Sequence, residues 1–156
     1  MLHPELRARV ESDLRWYRDA CEEARDLALQ LRTLRAPTAP RWSHINSQRG
    51  APGDPTGMRA IRCSALTARY RAAAWLARTL HAWLWAPERH EDDRLLLALV
   101  YGLHRPQCVT LAEAADALDI PCETEAEERA VQEHMDGLLL EVAVALRIVR
   151  SGRGAA

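Results

Sequence analysis

Two long runs of regularly spaced apolar residues constrain the fold of this 156-residue chain more than any other feature. The first run extends from Pro4 to Arg35, and its small or apolar residues recur in steps of three and four: Val10, Leu14, Tyr17, Cys21, Ala24, Ala28 and Leu31. The second run, from Pro55 to Ala86, has the same steps: Met58, Ile61, Ala65, Ala68, Ala72, Leu76, Leu80 and Trp83. Such spacing is typical of helices that pack along one face. The sequence therefore predicts two long α-helices.

A segment rich in proline and glycine, residues 36–54, separates the two runs. We expect a loop there, because prolines and glycines interrupt both helices and strands. Asp54 followed by Pro55 is a helix-start signal, since Asp54 can cap the free amides of the first turn. Two helices of similar length joined by one loop predict an antiparallel hairpin. In that hairpin the second helix is expected to approach Ala24 and Ala28 through its own alanines: Ala65, Ala68 and Ala72.

Residues 87–150 predict a group of shorter helices. Pro87 is expected to open the third helix, which continues through the apolar run that ends at Tyr101. Thr110 and Glu113 form a capping box for a short helix, and Thr124 can cap the last one, from Glu125 to Val149. A short helix, a break and a longer helix are the outline of a helix-turn-helix. The predicted fold is all-α: a hairpin of residues 1–35 and 55–86, a helix-turn-helix-like domain at 87–150, and a disordered tail at 151–156.

The composition, with 48% hydrophobic and 28% charged residues, is typical of a soluble globular protein. No apolar run approaches the roughly 20 residues that a membrane span requires, so we expect no membrane partner. The start of the chain lacks the apolar core of a signal peptide, which predicts a cytoplasmic protein. The four cysteines occur singly and predict free thiols. No metal site, cofactor or catalytic residue is expected, because no nucleophile stands beside a recognisable histidine and acid.

Charge is divided along the chain although the net charge is only −1. Every one of the 21 basic residues is arginine; the stretch 58–87 carries five arginines and no acid, whereas residues 105–156 carry five arginines and ten acids. The arginines of the second helix have two interpretations. They can bind phosphates, or they can pair with acids of the first helix, for which these side chains are available: Asp19, Glu22, Glu23 and Asp26.

Taken together, these features resemble the RinA/ArpU-like phage late-gene regulators, helix-turn-helix proteins of high-GC phages. The resemblance rests on the opening helix, the Asp54-Pro-Thr-Gly57 start, the apolar run that ends at Val100 and Tyr101, and the helix-turn-helix outline of residues 110–140; the opening helix contributes Glu11, Leu14, Arg15 and Tyr17. It implies a DNA-binding transcriptional regulator without catalysis or cofactor. We expect a homo-oligomer that associates through the hairpin and binds double-stranded DNA through these residues: Arg41, Arg49, Arg105, Thr124, Arg129 and His134.

One feature of the sequence differs from those of a DNA-binding protein and supports an alternative function. A recognition helix presents polar and basic groups to DNA, but residues 121–137 carry six acids and a single arginine, Arg129. The alternative is a protein-interaction module that engages RNA polymerase, a sigma factor or another basic partner, with the predicted interface residues Tyr17, Trp42, Glu125 and Glu128. A small DNA-packaging subunit that assembles as a ring is a third hypothesis.

Overall fold

The computed structural model describes residues 2–35, 55–104 and 107–148. This part of the chain forms five α-helices and no strand: α1 (Pro4–Arg35), α2 (Pro55–Leu84), α3 (Glu91–Tyr101), α4 (Leu111–Ala117) and α5 (Glu125–Ala145). The predicted all-α class is confirmed. The predicted loop at 36–54, with Asp54 as a cap, and the predicted disordered tail at 151–156 lie outside the described residues.

α1 and α2 lie side by side and run in opposite directions, as three contacts demonstrate. Near the start of α2, Arg59 Nε donates to the carbonyl oxygen of Leu34 at 2.9 Å. At the middle of α2, Arg69 Nη2 and Glu23 Oε1 are 2.6 Å apart. Close to its end, the Tyr17 hydroxyl and His81 Nδ1 are 3.4 Å apart. The pairing expected between arginines of α2 and acids of α1 therefore occurs at Arg69.

The core lies at one end of this helix pair, where α3 and α5 join it. α1 contributes Val10, Leu14 and Tyr17, and the C-terminal half of α2 contributes leucines at intervals of four: Leu76, Leu80 and Leu84. The remaining helices complete the same cluster with Leu96, Leu97, Met135, Leu139 and Val142. The other end of the pair, around Leu31 of α1 and Met58 of α2, projects beyond this core.

The predicted buried face of α2 is wrong in its N-terminal half. Ala65, Ala68 and Ala72, expected to approach α1, are exposed. Leu76 and Leu80 of the same predicted stripe are buried as expected, together with Leu84, and burying leucine removes more apolar surface from water than burying alanine. As a result the N-terminal half of α2 leaves two large apolar side chains exposed, Met58 and Ile61.

Two tryptophans of α2 differ in their exposure. Trp75 of α2 is 46% exposed. Trp83 is half-buried, and the guanidinium carbon of Arg89 lies 3.9 Å from the centre of its ring. An arginine so close to an indole face makes a favourable cation–π contact. This contact secures the turn between α2 and α3.

α3 begins later than the sequence predicted. The expected start was Pro87, but the amide of Arg89 donates to the carbonyl of Ala86 at 3.0 Å, which makes a turn there. His90 has an extended backbone and precedes the first helical residue, Glu91. The acidic first turn at 91–93 suits the positive end of the helix dipole. At the other end Gly102 has φ of 64°, a left-handed conformation that glycine adopts without strain.

A buried polar contact ties the start of α1 to α5. Asp136 is 9% exposed, and its carboxylate accepts hydrogen bonds from Arg7 Nη1 at 2.9 Å and from the amide of Leu2 at 3.2 Å. Arg7 Nε also donates to Glu11 at 2.9 Å, and Glu11 accepts from the Tyr101 hydroxyl at 3.3 Å. We call Arg7, Glu11, Tyr101 and Asp136 the Asp136 clasp. It joins α1, α3 and α5.

Replacing Arg7 with methionine should lower the free energy of unfolding by about 2 kcal/mol, because the enclosed carboxylate of Asp136 loses its cation while Arg7 itself is only partly buried. Chemical denaturation followed by circular dichroism measures the change. Arg9→Met, at an exposed position two residues away, should change stability by no more than about 0.5 kcal/mol. Adding Asp136→Leu to Arg7→Met should recover part of the loss. Equal effects of the Arg7 and Arg9 variants would contradict a stabilising clasp.

Candidate interaction surface of the C-terminal helices

α4 and α5 both start with a reciprocal capping box. The Thr124 hydroxyl accepts a hydrogen bond from the amide of Glu127 at 3.3 Å, and Glu127 Oε2 accepts from the amide of Thr124 at 2.9 Å. Thr110 and Glu113 make the same pair of bonds at 3.3 and 2.8 Å. These bonds satisfy amides that a helix start leaves unpaired. The starts of α4 and α5 are therefore held firmly.

Seven residues, 118–124, connect α4 to α5, whereas a helix-turn-helix usually has a turn of about three or four residues. Asp119 has φ of 55°, which lets the chain reverse, and the amide of Ile120 donates to the carbonyl of Ala115 at 2.9 Å. The turn borders an open cleft of about 630 Å³. Carboxylates supply its charged lining: Asp116, Asp119, Glu123 and Glu127.

The predicted DNA-contacting residues of α5 already have partners within the chain. Thr124 is a helix cap, and Arg129 Nη2 lies 3.3 Å from Glu125 Oε1. His134 Nε2 lies 2.7 Å from Asp93 Oδ1 of α3. The other predicted DNA contacts, Arg41, Arg49 and Arg105, lie outside the described residues. The structure therefore describes three members of the predicted set, and each of them makes a contact within the chain.

The predicted protein-interface residues differ in exposure. Glu125 and Glu128 are exposed at the start of α5. Tyr17 is only 6% exposed and belongs to the core between α1 and α2, so its assignment to an exposed interface is corrected. Burial raises the pKa of Tyr17 to about 12, with a further contribution from Cys21. Trp42 lies outside the described residues.

Negative charge dominates the surface of α4 and the first half of α5. Residues 107–134 contain eight carboxylates and one arginine. We define the acidic face by its exposed members: Asp116, Asp119, Glu123, Glu125, Glu128 and Glu133. Within the described ranges, Glu125 has an ion-pair partner and the other five have none. Such a face repels phosphates and attracts basic surfaces.

The contact between Asp93 and His134 was not predicted from the sequence. These residues are 41 positions apart, and each is one of several polar residues on an exposed helix surface. The pairing connects α5 to α3. The ion pair between Arg7 and Asp136 in the Asp136 clasp connects α5 to α1. No local spacing signals such a pair, because it depends on how three helices pack.

Neither a metal-binding cluster nor a membrane-spanning helix is present among the described residues. No group of three or more His, Cys, Asp or Glu side chains in this part of the chain is placed to hold a metal ion. None of its helices combines the length and the apolar character needed to cross a bilayer.

Comparisons with family models, with curated proteins and with solved structures find no match for this chain. The resemblance to the RinA/ArpU-like regulators consequently stays a prediction that rests on the residues given above. The candidate surface is defined by its own geometry and charge.

The capping box of α5 predicts an acid-dependent loss of stability. Hydrogen bonds from Thr124 lower the pKa of Glu127 below its ordinary value. The carboxylate therefore stabilises the folded state above its unfolded pKa, and this contribution is lost as pH falls through the folded pKa. Glu127→Gln should melt at a lower temperature than the parent chain at neutral pH. The difference should shrink as pH falls below the ordinary glutamate pKa of about 4.3.

Glu128→Gln is the matched control, because Glu128 lies in the same first turn but makes none of the capping hydrogen bonds. Thermal melting of both variants across this pH range gives the comparison. A pH dependence that is the same for the two variants would show that the box does not act through the Glu127 carboxylate.

Proposed function

We propose that this chain is a non-catalytic regulator of transcription that acts by binding a basic protein surface, on RNA polymerase or a sigma factor, through its acidic face. The observation that carries the proposal is the charge of residues 107–134, eight carboxylates against one arginine, on helices held rigidly in place. The assignment to transcription rests on the resemblance stated above, and the choice of partner rests on this charge.

Electrostatics favours a protein partner over the DNA major groove for this surface. A DNA reader gains affinity by neutralising phosphates with arginine and lysine, and it releases counterions as it does so. On α5 the single arginine of this region is paired with Glu125, and the neighbouring Glu128 and Glu133 are exposed. Bringing these carboxylates to phosphates costs free energy. Bringing them to a basic protein surface accelerates association and selects the partner.

Rigidity also supports binding through this face. The capping boxes fix the starts of α4 and α5, while the Asp136 clasp and the contact between Asp93 and His134 fix α5 along its length. A surface that is already ordered loses little conformational entropy when a partner binds. The acidic face is therefore suited to recognition without refolding.

Direct binding of double-stranded DNA is a second candidate, favoured by the arginines of α2. Arg62 and Arg71 are exposed, and neither has an ion-pair partner within the described residues. In this second candidate function, the α1–α2 pair contacts the DNA phosphates and α5 does not. Its affinity would fall steeply with salt.

The main proposal predicts that reversing two charges of the acidic face weakens polymerase binding. Glu125→Arg with Glu128→Arg should raise the dissociation constant for immobilised bacterial RNA polymerase holoenzyme at least about tenfold, since like charges then meet across the contact. Biolayer interferometry at low and at high salt measures the change. Circular dichroism melting verifies that both variant and parent chains are folded.

The control for net charge is Glu22→Arg with Asp26→Arg, which makes the same change on exposed positions of α1. Its polymerase affinity should stay close to that of the parent chain. Equal weakening by the two pairs, or no polymerase binding by the parent chain, contradicts the proposal. A parent chain that shifts duplex DNA at low salt, and loses this ability with Arg62→Glu and Arg71→Glu, would favour the second candidate.

A further inference from the structure

A groove with an apolar floor runs along one side of the α1–α2 pair. Its first section, about 460 Å³, has Ala24 and Ala28 of α1 facing Ala74 and Ala77 of α2, with Tyr17 and His81 at one end. Its second section, about 550 Å³, continues toward Leu31. The two sections share Ala28 and Tyr70. Together they form one continuous channel, which we call the hairpin groove.

Arginines line the rims of the hairpin groove. Arg25, Arg32 and Arg35 belong to α1, and Arg78 belongs to α2. All four are exposed, and none has a carboxylate partner within the described residues. Arg78 uses Nε to donate to the carbonyl of Ala74, which leaves the rest of its guanidinium available. The groove therefore combines an apolar floor with positive edges.

This combination fits a helix with an apolar face and acidic flanks. The floor consists mainly of alanines, whose small side chains let another helix backbone approach closely. Nucleic acid would satisfy the arginines but not the alanine floor, which gains only from apolar contact. The groove spans α1 from Tyr17 to Arg35, about 27 Å at 1.5 Å per residue.

The outer side of α5 has the required chemistry. At about 100° per residue, Gly137, Leu140 and Val144 lie opposite the side that faces the core. Leu140 is 44% exposed and Val144 is 37% exposed, so this side carries apolar surface that no other described part of the chain covers. Glu133 is exposed on the same side and supplies negative charge. From Ala126 to Val144 the stripe is also about 27 Å long.

Gly137 is an independent indication of a contact at this surface. Glycine inside a helix costs about 1 kcal/mol relative to alanine. A Cβ atom at Gly137 would meet no heavy atom within 4 Å, so packing inside the chain does not require glycine there. A missing side chain does permit close approach by a helix of another molecule.

We propose that the hairpin groove of one copy of this chain binds the outer side of α5 of a second copy. The contact joins two different surfaces, so each copy keeps one groove and one α5 side available for further copies. Association of this kind gives a ring or a filament. It shares Glu133 with the acidic face of the proposed function, but its partner is a different one, a second copy of this chain.

Sedimentation velocity of the full chain over a range of concentrations tests the proposal. The parent chain should associate, with average mass rising with concentration and falling in high salt. Arg25→Glu with Arg78→Glu should move the association to about tenfold higher concentration. Glu133→Arg alone should also weaken it, and combining all three substitutions should restore much of it, because opposite charges again face each other.

Gly137→Leu provides a second test that cannot be mistaken for unfolding. Leucine is the better helix former, so the melting temperature should rise while self-association is lost, because the added side chain blocks close approach. Arg62→Glu with Arg71→Glu makes the same charge change as the groove variant outside the residues that line the groove, and should leave association nearly unchanged.

The proposal is overturned if the chain stays monomeric at every concentration. It is also overturned if neither the charge reversals in the groove, Arg25→Glu with Arg78→Glu, nor Gly137→Leu changes the association. A monomer that binds duplex DNA and loses this binding with Arg25→Glu and Arg78→Glu would identify the groove as a nucleic-acid surface. Polymerase binding is measured separately, so failure of either proposal leaves the other interpretable.

Discussion

Burial of one face of α1 is the constraint on which the rest of the structure depends. The buried stripe of α1 includes Val10, Leu14 and Tyr17 and continues to Leu31. α2 covers it along its length, and α3 and α5 add a second layer only at the N-terminal end of α1. This unequal cover divides the molecule into a well-packed end and a thin two-helix end. The thin end exposes both the hairpin groove and the apolar side chains of α2.

Charge follows the same division. The five arginines of α2 belong to the hairpin, whereas the acidic face belongs to the helices that complete the packed end. The near-zero net charge therefore describes a molecule with two opposite surfaces. Both proposals depend on that separation: one places a basic protein on the acidic face, and the other places an acidic helix in the basic groove.

The helices and their caps could be predicted from the sequence, but the burial of α2 and the polar contacts between helices could not. The steps of three and four residues and the Thr-x-x-Glu patterns are formed by residues close together in the sequence, so the helices and their caps could be recognised from them. The periodicity of α2 gave alanine and leucine equal weight, whereas the free energy of burial does not, and Ala68 lies at the surface while Leu76 and Leu80 are buried. Tyr17 belonged both to the apolar stripe of α1 and to the predicted interface, and it lies in the core. Pairs such as Asp93 with His134 leave no local pattern.

The contact of Leu2 and Arg7 with Asp136 spans more than 120 positions of the chain, and this distance has a consequence for biosynthesis. A ribosome makes α1 before α5, so the contact that holds the start of α1 forms only after α5 has been made. Until then Val10 and Leu14 can be covered only by helices made earlier, α2 and α3. Most of the chain must leave the ribosome before folding is complete, because contacts between distant positions form only when both partners exist.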